Sequence, residues 1–244
     1  MSKIYGFHSV ISFLTYKPEN IIKIFLSNKR NDDRINQIIS LANKLRIEIE
    51  FKDINFLNSL SKNEKNQGII ASVELPKSLD DKDLKLFIDA TDNHSRILVL
   101  DSIQDPRNLG ACLRSALAFE FDAVIINKDG SSPINEYVLK TSVGAILNLN
   151  IFYVTNLSRS LNILKKFDYW VLGLDGHGEG SIFSEKFSLK TAVVLGSEGS
   201  GIRKLVKENC DHLIKIPISD KVESLNISVA AGIIMYELKK QHTN

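Results

Sequence analysis

The chain has 244 residues, of which 43% are hydrophobic, and its 31 basic and 29 acidic side chains give a formal net charge of +2. This composition suits one large or two modest globular domains. It excludes a membrane-spanning helix, which needs roughly 18 consecutive apolar residues, and a disulfide framework, because Cys112 and Cys210 are the only cysteines and lack a CxxC spacing. Since the N-terminus also lacks the apolar stretch of a signal peptide, we expect a cytoplasmic protein without a structural metal.

Residues 1–75 predict a small α/β domain. Asn31 or Asp32 is the expected N-cap of its main helix, because a short polar side chain there can accept from the free amides of the first turn. The segment carries 11 Lys and Arg against 8 Asp and Glu, which suits a phosphate backbone but equally an ordinary solvated surface. The expected elements are an apolar-periodic stretch at 8–16, an amphipathic helix at 32–45 and strands at 21–27, 47–51 and 69–74.

Residues 76–94 predict a linker, because the pattern breaks at Pro76 and acidic side chains become frequent. A short helix at 84–88 fits within it. Residues 95–244 form the second predicted domain, in which strands and helices alternate as in an α/β sheet with covering helices. The expected strands are 97–101, 123–127, 149–154, 169–175, 191–195 and 212–218, and the expected helices begin after Asn108 or lie near 135–142, 158–167, 202–208 and 226–241. The last helix is expected to have an apolar face that includes Val229, Ile233 and Tyr236.

Three polar and glycine-rich turns accompany apolar strands of the second domain. They are NLGACLR at 108–114, LGSEGSG at 195–201 and IPISDKVESLNISVAAG at 216–232. The strands are short, β-branched and nearly free of polar alternation, as expected for strands buried on both faces of a parallel sheet. Ligands of such sheets bind at the carboxyl ends of the strands, so the turns predict one ligand site assembled from three places.

Each turn alone also has a purely structural interpretation. Asn108 can cap a helix while Arg114 pairs with a surface carboxylate, or both can reach a common point above the sheet if Asn108 still lies in the loop. Ser224 or Asn226, taken alone, is more simply an N-cap of the last helix. Polar residues at three loop-to-helix junctions of one sheet together favour the functional interpretation.

The GSEGSG turn at 196–201 differs from known phosphate-binding loops. Its glycines follow the order G-x-x-G-x-G, and no Lys-Ser/Thr pair follows, so it matches neither the dinucleotide fingerprint nor the P-loop. NAD and ATP are therefore disfavoured, although a nucleotide-related ligand is still expected. Glu198 would repel a phosphate and suits a hydroxyl, an amine or an arginine instead.

In order and spacing, N-x-G-x-x-x-R, L-G-x-E-x-x-G and I-P-x followed by S-L-N-x-S-x-A match three motifs of one family. The chain resembles the SpoU class (SPOUT superfamily, TrmH-like) of RNA ribose 2′-O-methyltransferases. Its N-terminus, with YGFHSV at 5–10 and NQGIIA at 66–71, is similar to the small L30e-like RNA-binding domain of the bacterial large-subunit (23S) rRNA guanosine methyltransferases in that family. Glu223 departs from the pattern, since a small residue is usual there.

This resemblance implies a fold and a set of site residues. It implies a C-terminal α/β domain with a deep trefoil knot that binds S-adenosylmethionine and forms a homodimer, and an L30e-like domain at 1–75. Because knotted chains are rare, the residues alone would predict an unknotted sheet. The resemblance implies cofactor contacts for Gly196, Ile216 and Leu225, and a reaction site made of Asn108, Arg114, Glu198, Ser224 and Asn226.

The implied reaction is in-line methyl transfer from S-adenosylmethionine to the ribose 2′-hydroxyl of a guanosine in 23S rRNA, with no metal and no covalent enzyme intermediate. Our hypothesis is that Arg114 stabilises the developing alkoxide as a fixed cation. It would not readily act as a base, because guanidinium does not lose its proton easily. Glu198 and Asn108 would orient Arg114, while Ser224 and Asn226 would position the ribose. The alternatives are a tRNA ribose 2′-O-methyltransferase and, in another class, a non-catalytic RNA-binding or ribosome-assembly protein.

Overall fold

A computed structural model of the chain describes residues 2–75 and 77–243, so that Pro76, the first residue of the predicted linker, lies outside the described residues. Contacts divide the chain into two compact units. The first holds the described residues up to Lys77 together with Ile134–Asn148, and the second holds Ser78–Pro133 and the described residues from Leu149 onward. Within the described ranges, none of the helices combines the length and the apolar character that a bilayer crossing needs.

The strands agree closely with the apolar runs of the sequence, because each run is long enough for one buried strand. In chain order they are β1 (Ser2–Tyr5), β2 (Ile21–Ser27), β3 (Ile49–Lys52), β4 (Ile69–Val73), β5 (Ser95–Leu100), β6 (Ala123–Asn127), β7 (Asn150–Val154), β8 (Trp170–Leu174), β9 (Gly180–Ser181), β10 (Lys190–Leu195) and β11 (His212–Lys215). The sequence analysis did not predict β1 and β9.

In chain order the helices are α1 (Phe7–Tyr16), α2 (Asp33–Lys44), α3 (Ile54–Leu60), α4 (Asp81–Asp89), α5 (Pro106–Ala118), α6 (Glu136–Ser142), α7 (Leu157–Lys166), α8 (Lys204–Lys207) and α9 (Ile227–Gln241), with 3-10 turns at Pro18–Asn20 and Ala145–Leu147. Among the described residues, all helices except α1 and α8 begin after an Asp or Asn whose side chain caps them. Asp32 is the N-cap of α2, accepting from the backbone N–H groups of Arg34 and Ile35, as the sequence predicts. Helix α3 was not predicted.

The first unit is built on a four-stranded sheet with the spatial order β1, β4, β2, β3. β4 pairs antiparallel with β1 and with β2, whereas β2 and β3 are parallel. Helix α6, although it comes much later in the chain, belongs to this unit. Its Lys140 Nζ lies 3.0 Å from Glu64 Oε2 and 5.2 Å from the centre of the Tyr5 ring. The turn after α6 packs closely on α1, since a Cβ on Gly144 would lie 2.6 Å from the Cβ of Ser12.

The second unit contains a seven-stranded parallel sheet with the spatial order β7, β6, β5, β10, β8, β11, β9. Every residue of the central strands β5 and β6 is buried, as expected for strands covered on both faces. The predicted α/β class with a parallel sheet is therefore confirmed. The trefoil knot implied by the resemblance stays a prediction.

Helix α9 has apolar side chains on two faces. It buries Ile227, Ala231, Ile234, Met235 and Leu238. The three residues expected on an apolar face do lie at helical spacing, but they are exposed: Val229 by 49%, Ile233 by 37% and Tyr236 by 57%. Spacing alone could not separate the two faces, because both repeat with the period of the helix.

Candidate active site

The three predicted turns meet at one edge of the second unit's sheet. Strands β5, β10, β8 and β11 are neighbours in that order and run parallel. Their carboxyl ends therefore lie at the same edge, where the segments after β5, β10 and β11 carry the motifs. The segment after β8 reaches this edge as well.

A cavity of about 440 Å³ opens between the segments that follow β8, β10 and β11. The residues with implied cofactor contacts, Gly196, Ile216 and Leu225, all line it, and so do Glu198 and Ser224. The remaining lining residues are Leu174, Asp175, Gly176, His177, Leu195, Ser197, Gly199, Ser200, Gly201, Ile218, Glu223, Ile227 and Ala230. Its volume lies in the range of about 300 to 1,000 Å³ that is usual for small-molecule sites.

Loop 196–201, after β10, closes on itself. Ser197 N–H donates to Gly201 O at 3.1 Å, and Gly201 N–H donates to Ser197 O at 3.0 Å. A Cβ on Gly196 would lie 1.9 Å from the carbonyl carbon of Gly201, so only glycine fits there. The closed loop presents the side chain of Glu198 at its exposed turn.

Three predicted site residues form one hydrogen-bonded group. Asn108 Nδ2 donates to Glu198 Oε1 at 2.8 Å. Asn226 Nδ2 donates to the same Glu198 oxygen at 2.6 Å and to Asn108 Oδ1 at 3.1 Å. Residues from all three motifs thus meet at a single carboxylate oxygen, and the partners of Glu198 here are amide N–H groups, which the sequence analysis did not name among its expected partners.

Asn226 also begins helix α9. Its Oδ1 accepts from Ser228 N–H at 2.9 Å and from Ser228 Oγ at 2.6 Å, which makes it the N-cap. Because the oxygen faces the helix, the amide nitrogen is left to face Glu198. Asn226 is therefore the N-cap that the structural interpretation predicts, and at the same time it contacts the residues of the other two motifs.

Asn108 lies inside helix α5 and not in the preceding loop. The helix begins at Pro106 and is capped by Asp105, whose Oδ1 accepts from Arg107 N–H at 2.7 Å. Proline suits the first helical position because its missing N–H would be unpaired there. The first turn carries Asn108 toward Glu198, while Gly110 is buried within the helix and does not line the cavities described here.

Ser224 and Arg114 are outside the hydrogen-bonded group. Ser224 lines the cavity with Glu198. Arg114 lies further along α5 with an exposed side chain, and among the described residues it has no hydrogen bond or ion pair. Its guanidinium is therefore free to meet a ligand or another chain.

A second cavity of about 410 Å³ adjoins the first. The two share Ser197, Glu198, Gly199, Ser200 and Ile227, and the rest of the second is lined by Ser102, Ile103, Gln104, Asp105 and Asn108. Glu198 thus borders both cavities.

Asp175 and His177 are site residues that sequence reasoning missed. They follow β8 and line the first cavity. Partial burial by itself would raise the pKa of Asp175, but hydrogen bonds from Lys207 Nζ and from His177 N–H outweigh burial and lower it. The signal was present, because the expected strand at 169–175 ends at this same edge of the sheet.

The cysteines are not reactive groups of the site. Burial, with a smaller contribution from Glu198, raises the pKa of Cys112 to about 12, and burial likewise raises that of Cys210 to about 12. Cys210 and the nearby His212 do not face a common ligand, because they contact different residues. Cys210 Sγ donates to Val206 O, and His212 Nδ1 lies 3.2 Å from Glu185 Oε2. Over the described ranges, no group of three or more His, Cys, Asp and Glu side chains is arranged to hold a metal ion.

Comparison with known proteins shows one family across both units. The family model of the SpoU rRNA Methylase family matches residues 95–236. A second model, described as RNA 2′-O ribose methyltransferase substrate binding, matches residues 3–79.

Curated relatives match over nearly the whole chain. The 23S rRNA (guanosine-2′-O-)-methyltransferase RlmB of Coxiella burnetii is 40% identical over 99% of this chain and 96% of that protein. The RlmB of Haemophilus influenzae is 39% identical over 98% of this chain and 97% of that protein.

Solved structures share the fold at lower identity. The SpoU methyltransferase AviRb from Streptomyces viridochromogenes, crystallised with AdoMet, superposes with a TM-score of 0.82 at 22% identity, over 99% of this chain and 90% of that chain. A structure titled for 2-OH methylation of C/U34 on tRNA covers 62% of this chain and 99% of its own, with a TM-score of 0.57 and 24% identity. From the family models and the curated relatives together, the chain belongs to the SpoU rRNA methylase family.

Proposed function

We propose that this protein transfers a methyl group from S-adenosylmethionine to the ribose 2′-hydroxyl of a guanosine in 23S rRNA. The observation that carries the proposal is the group formed by Asn108, Glu198 and Asn226, which borders two adjoining cavities. Relatives that are about 40% identical over nearly the whole chain bear the name of this activity.

The volume of the first cavity suits the methyl donor, and part of the cavity wall is bare backbone at Gly196. Gly196 leaves no room for a side chain, and the apolar residues Ile216 and Leu225 line the same cavity. S-adenosylmethionine supplies a methyl group activated by a sulfonium centre. Gly196, Ile216 and Leu225 would hold it, largely through backbone groups.

Our proposed place for the target ribose is beside the group of Asn108, Glu198 and Asn226, where the two cavities adjoin. A ribose hydroxyl is protonated at neutral pH, so the chain must stabilise negative charge on its oxygen as the proton leaves. Arg114 would do this as a fixed cation, and Ser224 and Asn226 would orient the sugar. In the proposed mechanism Glu198 and Asn108 orient Arg114 and hold Asn226 in place, since each already accepts an N–H of the Asn226 amide.

We propose residues 1–75 as the L30e-like RNA-binding domain, residues 76–94 as the linker and residues 95–244 as the methyltransferase domain with its trefoil knot, of which residues 134–148 belong to the compact unit of the RNA-binding domain. The substrate-binding family model that matches residues 3–79 supports the first assignment. Recognition of RNA depends on contacts to 2′-hydroxyl groups and unstacked bases. A ribosomal RNA substrate also favours a cytoplasmic location.

We propose further that the protein is a homodimer. Val229, Ile233 and Tyr236 on α9, with Leu117 on α5, are exposed apolar side chains, and helices α5 and α9 pack against each other. An apolar surface of this kind marks an interaction site. A second copy of the chain would cover it and would bring another Arg114 close to the same helices.

Transfer of radiolabelled methyl groups tests the function. The purified protein would be mixed with labelled S-adenosylmethionine and with either 23S rRNA lacking its 2′-O-methyl groups or unmodified tRNA, and the labelled position would be mapped by resistance to alkaline cleavage. We expect label at one guanosine ribose of 23S rRNA. Label in tRNA alone would overturn the target, and label in neither RNA, with the donor bound, would overturn catalysis on free RNA.

Arg114→Lys belongs in the same assay. Lysine keeps the positive charge but loses the planar guanidinium fork. We expect the turnover number to fall by about 100-fold, the usual effect of removing one donor that stabilises charge in a transition state. Near-normal turnover of this variant would contradict the role proposed for Arg114.

A further inference from the structure

Asp101 is a buried acid that lies next to the site but is not part of the group of Asn108, Glu198 and Asn226. It directly follows β5 and is 0% exposed. Burying a carboxylate is costly unless it is paired and hydrogen-bonded. Its partners therefore indicate what the residue is retained for.

Those partners, Leu195 and Arg203, lie just before and just after the segment that contains loop 196–201. The backbone N–H of Asp101 donates to Leu195 O at 2.8 Å, just before the loop. Its carboxylate accepts from Arg203 N–H at 2.9 Å and from Arg203 Nε at 2.7 Å, just after the loop. One residue thus fixes the entry and the exit of the loop that carries Glu198 and lines the first cavity.

Asp101 also begins the segment that leads to Asn108. Ser102, the next residue, has a left-handed backbone with φ of 63°, and its N–H donates to Asn127 Oδ1 at 2.6 Å. Its Oγ donates to Asp101 Oδ1 at 3.3 Å. Ser102 and the residues up to Asp105 line the second cavity, so the same carboxylate is tied to the walls of both cavities.

We propose that Asp101 and Arg203 are positioning residues, which set the place of Glu198 relative to Asn108 and hence the alignment of the two ligands. Neither residue lines either cavity, so they would act through the loops and not through contact with a ligand. This inference rests on the proposed assignment of Glu198 and Asn108 to the reaction site. Misplacement by about 1 Å far from the chemistry can cost on the order of 100-fold in rate.

The test compares Asp101→Asn and Arg203→Met with two matched controls. Lys204→Met removes the same charge at the next residue, whose side chain is 89% exposed. Asp211→Asn alters a carboxylate that likewise accepts a backbone N–H, from Val171 at 2.9 Å, and pairs with a cation, Lys165, but at the amino end of β8. All variants are assayed at a temperature at which circular dichroism shows them folded.

We expect the turnover number of Asp101→Asn and of Arg203→Met to fall by about 10- to 100-fold, with weaker binding of S-adenosylmethionine by calorimetry and an unchanged KM for rRNA. The double variant should lose no more than the worse single variant, because both substitutions break the same link. The controls should keep the turnover number and donor affinity of the unaltered protein.

Two results would overturn the proposal. One is an Arg203→Met variant with the turnover number and donor affinity of Lys204→Met. This comparison is available even if Asp101→Asn fails to fold, because the Arg203 side chain is half exposed and its loss should leave the protein folded. The other is a double variant whose losses multiply. Failure of the proposed function would look different, since the unaltered protein would then transfer no methyl group to either RNA.

Discussion

At the scale of the single residue, Asn226 shows why the site is sensitive to the orientation of an amide. Its oxygen caps α9 through Ser228 N–H, and its nitrogen donates to Glu198 and Asn108. Only a side chain with an acceptor and a donor on one planar group can do both. Aspartate keeps the first contact and loses the second.

Asn226→Asp should therefore separate capping from function. Aspartate is as good an N-cap as asparagine, but it would place a second carboxylate 2.6 Å from the position of Glu198 Oε1, where like charges repel. We expect a folded protein whose turnover number is lower by about 100-fold, measured by methyl transfer beside thermal unfolding.

The control for this substitution removes a cap elsewhere. Asn156 caps α7 by accepting from Arg159 N–H. Asn156→Ala should lower the free energy of unfolding by about 1 kcal/mol and leave the turnover number unchanged. Normal activity of Asn226→Asp would mean that Asn226 is only a cap.

At the scale of the element, loop 196–201 fills its own interior with backbone. The atoms around a Cβ on Gly196 would be backbone atoms of Gly201 and Ile202, the nearest at 1.9 Å, and backbone cannot move aside as a flexible side chain can. Any substitution at Gly196 must open the paired Ser197 and Gly201.

Gly196→Ala should abolish binding of S-adenosylmethionine, because opening the loop deforms the wall of the first cavity. Calorimetric titration with the donor measures this, and circular dichroism checks that the protein is folded. Gly199→Ala is the matched control for folding, since its Cβ would meet nothing within 4 Å. Donor affinity of Gly196→Ala equal to that of the unaltered protein would contradict the cofactor assignment.

The elements that the sequence predicts are those with strong local signals. The buried run at 123–127 is a strand with the same bounds, because four apolar residues followed by an asparagine form a run long enough for a buried strand and too short for a helix. Helix α3 was missed although Asp53 caps it by accepting from Phe56 N–H. It spans only 7 residues with one fully buried side chain, so its apolar period is too short to detect.

The site itself could be assembled only in part from the sequence. The motifs predict that Asn108, Glu198 and Asn226 meet, because the ends of parallel strands share an edge. The predicted start of α5 after Asn108 was wrong, because Asp105 caps the helix and Pro106 begins it, and Asp105, Pro106 and Asn108 are all good residues for a helix N-terminus. The pairing of Asp101 with Arg203 spans 102 positions of the chain, and no local pattern encodes such a contact.

At the scale of the whole molecule, the exposed apolar face of α9 makes the state of assembly testable. Ile233→Asp puts a charge at the centre of the proposed interface, where an unpaired buried charge is strongly unfavourable. We expect light scattering to give the 27.4 kDa mass of one chain for this variant, and twice that mass for the unaltered protein.

Leu205→Asp is the control for this assembly. Leu205 is apolar and 69% exposed, but it lies on α8, outside the proposed interface. This variant should keep the mass of two chains. A single-chain mass for the unaltered protein would refute the homodimer.

The chain path of the first unit limits how this protein can be cut and recombined. Because α6 and the turn at Gly144 belong to that unit, three peptide bonds join it to the rest, at 77–78, 133–134 and 148–149. A chimera that transplants only the first 77 residues leaves behind the partners of Glu64, Tyr5 and Ser12. Exchange of RNA-binding modules between relatives would therefore have to carry two separate stretches of gene together.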